Sequence, residues 1–229
     1  MSLFAIADLH LSFSSDKPMD IYGGWWINHT ETLKNNWLSM IQDEDTVLIP
    51  GDISWALRLD EAKADLEWLS DLPGHKVLIK GNHDLWWTSI GRLSSMYRDL
   101  EFIQNSSAEY GEYAICGTRG WICPGENNFD AHDEKIYKRE LIRLEMSFEA
   151  ASKKGCKKFI GMLHYPPANE KMEPSGFTEL FAYYGTEKVV YGHLHGRDAY
   201  ENGPKGIIKG VEYFLVSCDH LQCMPLKIL

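Results

Sequence analysis

Leu3-Phe4-Ala5-Ile6-Ala7-Asp8-Leu9-His10 decides the reading of this chain, because an apolar run the length of one strand ends directly in two metal-binding side chains. Four further runs end in the same way. Residues 47–50 lead into Gly51-Asp52, residues 77–79 into Gly81-Asn82-His83-Asp84, residues 159–163 into His164, and residues 189–191 into Gly192-His193-Leu194-His195. Short apolar runs bounded by polar residues predict buried strands. Helical patterns lie between several of them, over residues 31–41 and 61–69, the second with Ala62, Leu66 and Leu69 on one face. The fold class is therefore α/β, with sheets at least partly parallel. Ligands of such sheets gather at the carboxyl ends of the strands, so one edge collects every metal-binding side chain.

Carboxylate, imidazole and amide oxygen together suit Mn, Fe, Zn, Co or Ni better than a soft, thiolate-seeking ion. Asp52 can bridge two metals through its two oxygens, leaving Asp8, His10, Asn82, His164, His193 and His195 as terminal ligands. Two-metal sites hold their ions about 3.5 to 4 Å apart and generate hydroxide at neutral pH. Only Asp8 and Asp52 are anionic against two metal cations, so the site stays positive and favours a phosphate.

In order, Asp8-x-His10, Gly51-Asp52, Gly81-Asn82-His83-Asp84, His164 and Gly192-His193-x-His195 resemble the motifs of the calcineurin-like metallophosphoesterase superfamily, over most of the chain. The resemblance implies a four-layer α/β/β/α sandwich, two mixed sheets flanked by helices. It implies one metal, most favourably Mn, on Asp8, His10, Asp52 and His195, and a second on Asp52, Asn82, His164 and His193. Metal-bound hydroxide would attack phosphorus. His83 would protonate the leaving oxygen or stabilise its charge, with Asp84 orienting the ring.

Protein serine/threonine phosphatases of this fold continue Gly-Asp into Asp-Arg-Gly and use Gly-Asn-His-Glu. Here the residues are Ile53-Ser54-Trp55 and Asp84, so the match is closer to the small bacterial phosphohydrolases and phosphodiesterases. Many members also carry an aspartate shortly after Gly-Asp, and its absence removes one support expected around Asp52. Taken singly, each motif reads as a turn: Asp8 as a cap, Gly51-Asp52 as a bend, Asn82 as a left-handed loop residue. The ordered series in agreeing strand contexts is what selects the metal reading. His29, His75, His132 and His220 lie outside it.

No linker, repeat or low-complexity tract divides the 229 residues, which are expected to form one domain. Residues 134–152 predict the longest helix, with Tyr137, Leu141, Leu144, Phe148 and Ala151 at helical spacing. Residues 113–116, 206–208 and 212–216 predict further strands. Met1-Ser2-Leu3 runs straight into the first strand, and no apolar stretch is long enough to span a membrane. The expectation is a soluble, cytoplasmic protein. The five cysteines, Cys116, Cys123, Cys156, Cys218 and Cys223, form no C-x-x-C pair, and their odd number fits a reducing compartment.

A formal net charge of -10 opposes extended nucleic-acid binding unless a local basic patch exists. Residues 153–158 are basic, but read as a helix end stopped by Gly155. A nuclease of the same fold would need a basic groove beyond the metals. A metal-free scaffold would have lost ligands, and none is lost here. Trp25-Trp26, Trp86-Trp87 and Trp121 could stack on a substrate, although tryptophan more often fills a core. Arg119, on a loop after a strand, is a candidate to grip a phosphate. The substrate expected is a phosphorylated small molecule. A diester or nucleotide-like ester is favoured, because a dianionic monoester usually calls for more cationic groups than Arg119, with Arg58 and Arg92 on helical or flanking segments, would supply.

Overall fold

The computed structural model describes residues 1–126 and 129–229. Two sheets carry the fold. The first, in the order β11-β1-β2-β3-β4, contains β1 (Leu3–Ala5), β2 (Thr46–Ile49), β3 (His75–Leu78), β4 (Leu100–Phe102) and β11 (Leu226–Lys227). The second, in the order β5-β6-β7-β8-β10-β9, contains β5 (Ser107–Tyr110), β6 (Tyr113–Thr118), β7 (Lys158–Leu163), β8 (Lys188–Tyr191), β9 (Gly206–Ile208) and β10 (Val211–Leu215). Pairings from β1 to β4 are parallel, as are β6 to β7, β7 to β8 and β8 to β10. Antiparallel edges close both sheets, so the sheets are mixed.

The pleat explains the layers. In β1, Leu3 and Ala5 face a core shared with Ile115, Ile160, Met162 and Val190 of the second sheet, whereas Phe4 faces Leu33, Trp37 and Leu66. Those last three come from α1 (His29–Met40) and α2 (Leu59–Ser70), and the short α3 (Ile90–Leu93) follows β3. On the far side, Phe159 and Leu163 of β7 pack on Tyr137, Leu144, Phe148 and Phe177, from α4 (Ala131–Lys153) and α5 (Gly176–Tyr183). The result is the α/β/β/α sandwich. No helix among the described residues is long and apolar enough to cross a membrane.

Element ends differ from the sequence reading by a few residues, with caps as the cause. α4 begins three residues early because the Asp130 carboxylate accepts from the His132 and Asp133 amides. It ends at Lys153, before Gly155 at φ 87°. Strands β4, β5 and β11 and helix α5 were not anticipated. The three strands carry too few consecutive apolar side chains to show a period, and α5, though apolar, spans only eight residues, about two turns.

Candidate metal centre

The carboxyl ends of β1, β2, β3, β7 and β8 turn into the five motif loops, and the turns are tight. Asp8, His10, Asp52 and His193 all have positive φ, at 58°, 44°, 52° and 72°. A left-handed backbone is unfavourable for side chains larger than glycine and persists where surrounding bonds enforce it. Here the Asp8 amide donates to Gly51 O at 3.0 Å and the His10 amide to Asp52 O at 3.0 Å, lacing the first loop to the second. The glycines of the motifs have steric causes. A Cβ on Gly81 would lie 2.2 Å from the Asp52 nitrogen, and one on Gly192 would lie 2.5 Å from Asp8 Oδ2.

Asp84 ties these loops together. Its Oδ2 accepts from the amides of Asp52 at 2.9 Å and Gly81 at 2.7 Å, while Oδ1 accepts from the amides of Ile53 and Ser54 and from the Trp86 indole. This differs from the expectation that Asp84 orients the His83 ring. Its carboxylate is spent on backbone amides, and the support expected after Asp52 is supplied by residue 84 instead. The His83 ring packs on Trp55, with centroids 4.2 Å apart, and its own amide donates to Asp52 Oδ1 at 2.8 Å.

The seven expected ligands converge. Asp8, His10 and His195 form one group of donor atoms mutually within 4.8 Å, and Asp8, Asp52 and His164 another. Asp52 Oδ2 lies 3.8 Å from His10 Nε2 and 3.5 Å from His164 Nε2, within reach of a histidine of each group. His193 Nδ1 and His164 Nε2 both face Asn82 Oδ1, at 2.9 and 2.6 Å.

The donor set fits bound cations for a reason internal to the hydrogen bonding. His164 Nδ1 is 3.0 Å from the Pro50 carbonyl, which can only accept, so Nδ1 carries the ring proton. Burial pushes this histidine down to about 3, and the neutral ring is left with a lone pair on Nε2. That lone pair points at another acceptor, Asn82 Oδ1. A metal ion reconciles the two. His10 Nε2 and His195 Nε2 lie 3.4 Å apart. Burial also raises Asp8 to about 8, against the opposing pull of the His195 ring.

One supporting residue escaped the sequence reading. Asp219, buried after β10, accepts from His195 Nδ1 at 2.9 Å and from the Gly196 amide at 3.3 Å. It fixes the ring so that Nε2 faces the site, the usual second partner of a metal-binding histidine. Burial by itself would lower His195, but the Asp219 hydrogen bond and the Asp8 carboxylate outweigh it and push it up to about 9. No motif marks Asp219, because it lies 24 residues from its partner.

A cavity of 320 Å³ opens over the donors, walled by Met19, Tyr22, Trp26 and Trp55 beside His83. Trp55 stacks on His10 at 4.7 Å and Trp26 meets His195 edge-on at 5.4 Å. Trp86 and Trp87 are core residues, as the commoner reading held. Arg119 does not line this cavity. Its guanidinium lies over Trp121 at 4.6 Å and 3.8 Å from Glu140, in a separate pocket.

Residues 1–197 match the family model of calcineurin-like phosphoesterases. A 56-residue stretch, 24% of this chain, is 48% identical to the gene 66 protein of Mycobacterium phage L5 and covers 27% of that protein. A 119-residue stretch, 51% of the chain, is 30% identical to an uncharacterized protein of Methanocaldococcus jannaschii and covers 64% of it. Each match thus spans less than two thirds of the relative's length. Among solved structures, a phosphopantetheinyl hydrolase of Mycobacterium tuberculosis superposes with a TM-score of 0.61 at 16% identity, over 100% of this chain and 95% of that one, a likeness of fold.

Proposed function

Since the chain belongs to the calcineurin-like phosphoesterase family, whose members hydrolyse phosphoesters with bound metals, we propose that it is a binuclear-metal phosphohydrolase favouring diesters or nucleotide-like esters. The observation that carries this reading is the approach of Asp52 Oδ2 to one histidine of each donor set, His10 and His164. Asp8, Asp52, His10 and His195 would hold one ion, and Asp52, Asn82, His164 and His193 the other, with Mn best suited to such oxygen and imidazole donors. Two ions so held supply charge stabilisation at phosphorus and a nucleophile at neutral pH.

The chain's own residues do the rest. Asp219 keeps His195 in one tautomer, Pro50 does so for His164, and Asp84 holds the two loops that carry Asp52 and Asn82. His83, on the cavity wall and braced by Trp55, delivers a proton to the leaving oxygen. Tyr22, Trp26 and Trp55 receive an apolar or base-bearing ester arm. No lysine or arginine lines the cavity among the described residues, which supports a singly charged diester over a dianionic monoester. The five free cysteines support a reducing, cytoplasmic setting.

Asp52→Asn tests the bridge. A neutral amide offers no anionic oxygen at the Oδ2 position that lies near both His10 and His164, so metal content and turnover should fall together while circular dichroism keeps its shape. Retention of both ions with near-normal turnover removes the assignment. Matched aryl monoester and diester substrates at saturating Mn test specificity, where a higher kcat/KM for the monoester contradicts the diester reading.

A further inference from the structure

A cluster of four cationic side chains lies beside the metal centre of this acidic chain. A 470 Å³ pocket is lined by Lys80, Arg119, Arg139 and Arg143, together with Thr88 and Gln104. It occupies the same carboxyl edge as the metal ligands and extends one strand further out, to Gln104 after β4 in the first sheet and Arg119 after β6 in the second. Lys80 precedes the Gly81-Asn82 loop, and Arg119 follows β6, the neighbour of the strand that ends in His164. Adjacent strands are about 4.8 Å apart. The pocket shares no lining residue with the cavity over the metal donors.

A purely structural ion network would balance its charges, and this one does not. Glu140, fully buried on α4, is the one carboxylate lining the pocket, and three guanidiniums divide it, Arg143 at 2.8 Å, Arg139 at 3.5 Å and Arg119 at 3.8 Å. One oxygen of Glu140 is already taken by the Thr118 hydroxyl at 2.6 Å. Lys80 has no ion-pair partner among the described residues, and the buried Nε of Arg119 has no hydrogen-bond acceptor. Four cations facing one carboxylate leave an excess of three positive charges. Guanidiniums in this arrangement suit the paired oxygens of a phosphoryl group.

We propose that the pocket bounded by Lys80, Arg119, Arg139 and Arg143 is a second anion site, built to bind a phosphoryl group apart from the metal centre. The group is either a free phosphate or a second phosphate on the substrate. Arg119, expected from sequence to grip the reacting phosphate, belongs to this site. Occupancy would reach the metals through two backbone connections, Lys80 to Asn82 along the chain and the Arg119 carbonyl, which accepts from the His164 amide at 3.0 Å.

Equilibrium dialysis of the Mn-loaded full chain with labelled inorganic phosphate counts the sites. The wild type is expected to bind two phosphates per chain. The Arg139→Gln/Arg143→Gln double variant, with two of four cations removed, should bind at the pocket at least about tenfold more weakly while keeping Mn content and circular dichroism. Lys80→Gln provides an independent second variant if loss of the Glu140 partners impairs folding. One phosphate per wild-type chain that both variants bind undiminished overturns the proposal, as does undiminished two-site binding in both variants. Diesters with and without a terminal phosphate identify the source. A lower KM for the phosphorylated diester, lost in the variants, assigns the site to the substrate, and equal KM values with two-site phosphate binding assign it to a free anion. This outcome is independent of whether diesters are hydrolysed better than monoesters.

Discussion

Replacing Asp219 by asparagine separates the positioning of a ligand from the ligand itself. The buried carboxylate accepts from His195 Nδ1 at 2.9 Å and touches no donor atom of the metal centre other than through that ring. A hydrogen bond to a charged group contributes about 1.5 to 3 kcal/mol, and a neutral one about half as much. Asparagine retains an oxygen at the same place, so the variant should lose about 1 to 1.5 kcal/mol, close to tenfold in metal affinity. Asp219→Ala should lose more, towards the hundredfold end of the range for such partners.

A second effect opposes the first and gives the experiment its sharpness. In the metal-free chain His195 holds its proton up to about pH 9, and a metal must displace that proton. Wild-type affinity should therefore climb with pH up to about 9. In Asp219→Asn the proton leaves at lower pH, so less of this competition remains. The tenfold deficit is expected in full near pH 9 and should narrow as the pH falls to 7. Isothermal titration with Mn under anaerobic conditions at several pH values measures it. Equal affinities at pH 9, or a deficit that widens on acidification, would refute the reasoning.

His83→Ala should keep its metals yet lose about 10²- to 10⁴-fold in turnover, the range for an acid-base group. Parallel assays on aryl and alkyl esters check the role, since good leaving groups need less protonation and equal losses on both argue against it. The metal-free chain should also become less stable as the pH rises from 6.5 to 9. His195 has a folded value near 9 against 6.5, so its contribution is complete below 6.5 and lost through 9; Asp8, near 8 against 3.8, also keeps a proton that unfolding releases. Thermal melts with and without Mn test this, and a metal-free Tm that rises over the same interval contradicts it.

Much of the site was legible because its chemistry is local. Each of Asp8, Asp52, Asn82, His164 and His193 directly follows a strand or stands within a few residues of its end, and strand ends are written in short apolar runs. Glu140 and Ser147 illustrate what was not legible. Both sit on the buried face of α4, where periodicity predicts apolar residues, and both have partners far away in sequence: Glu140 accepts from Thr118 across 22 residues, and the Ser147 hydroxyl accepts from the Gly117 amide across 30. Trp55 is similar, since its stacking on His10 and His83 depends on two other loops.

The sequence by itself determined the alternation of strands and helices, the donor set and the order in which donors reach one edge, because these follow from residue type and period along a single segment. The tertiary structure decided which carboxylate supports which loop, sending Asp84 to four backbone amides and Asp219 to His195. It also moved Arg119 out of the metal cavity and into a cationic pocket with Arg139 and Arg143. Hydrogen bonds and charge pairs between distant segments are fixed by distances of a few ångströms in space, and separation along the chain carries no record of them.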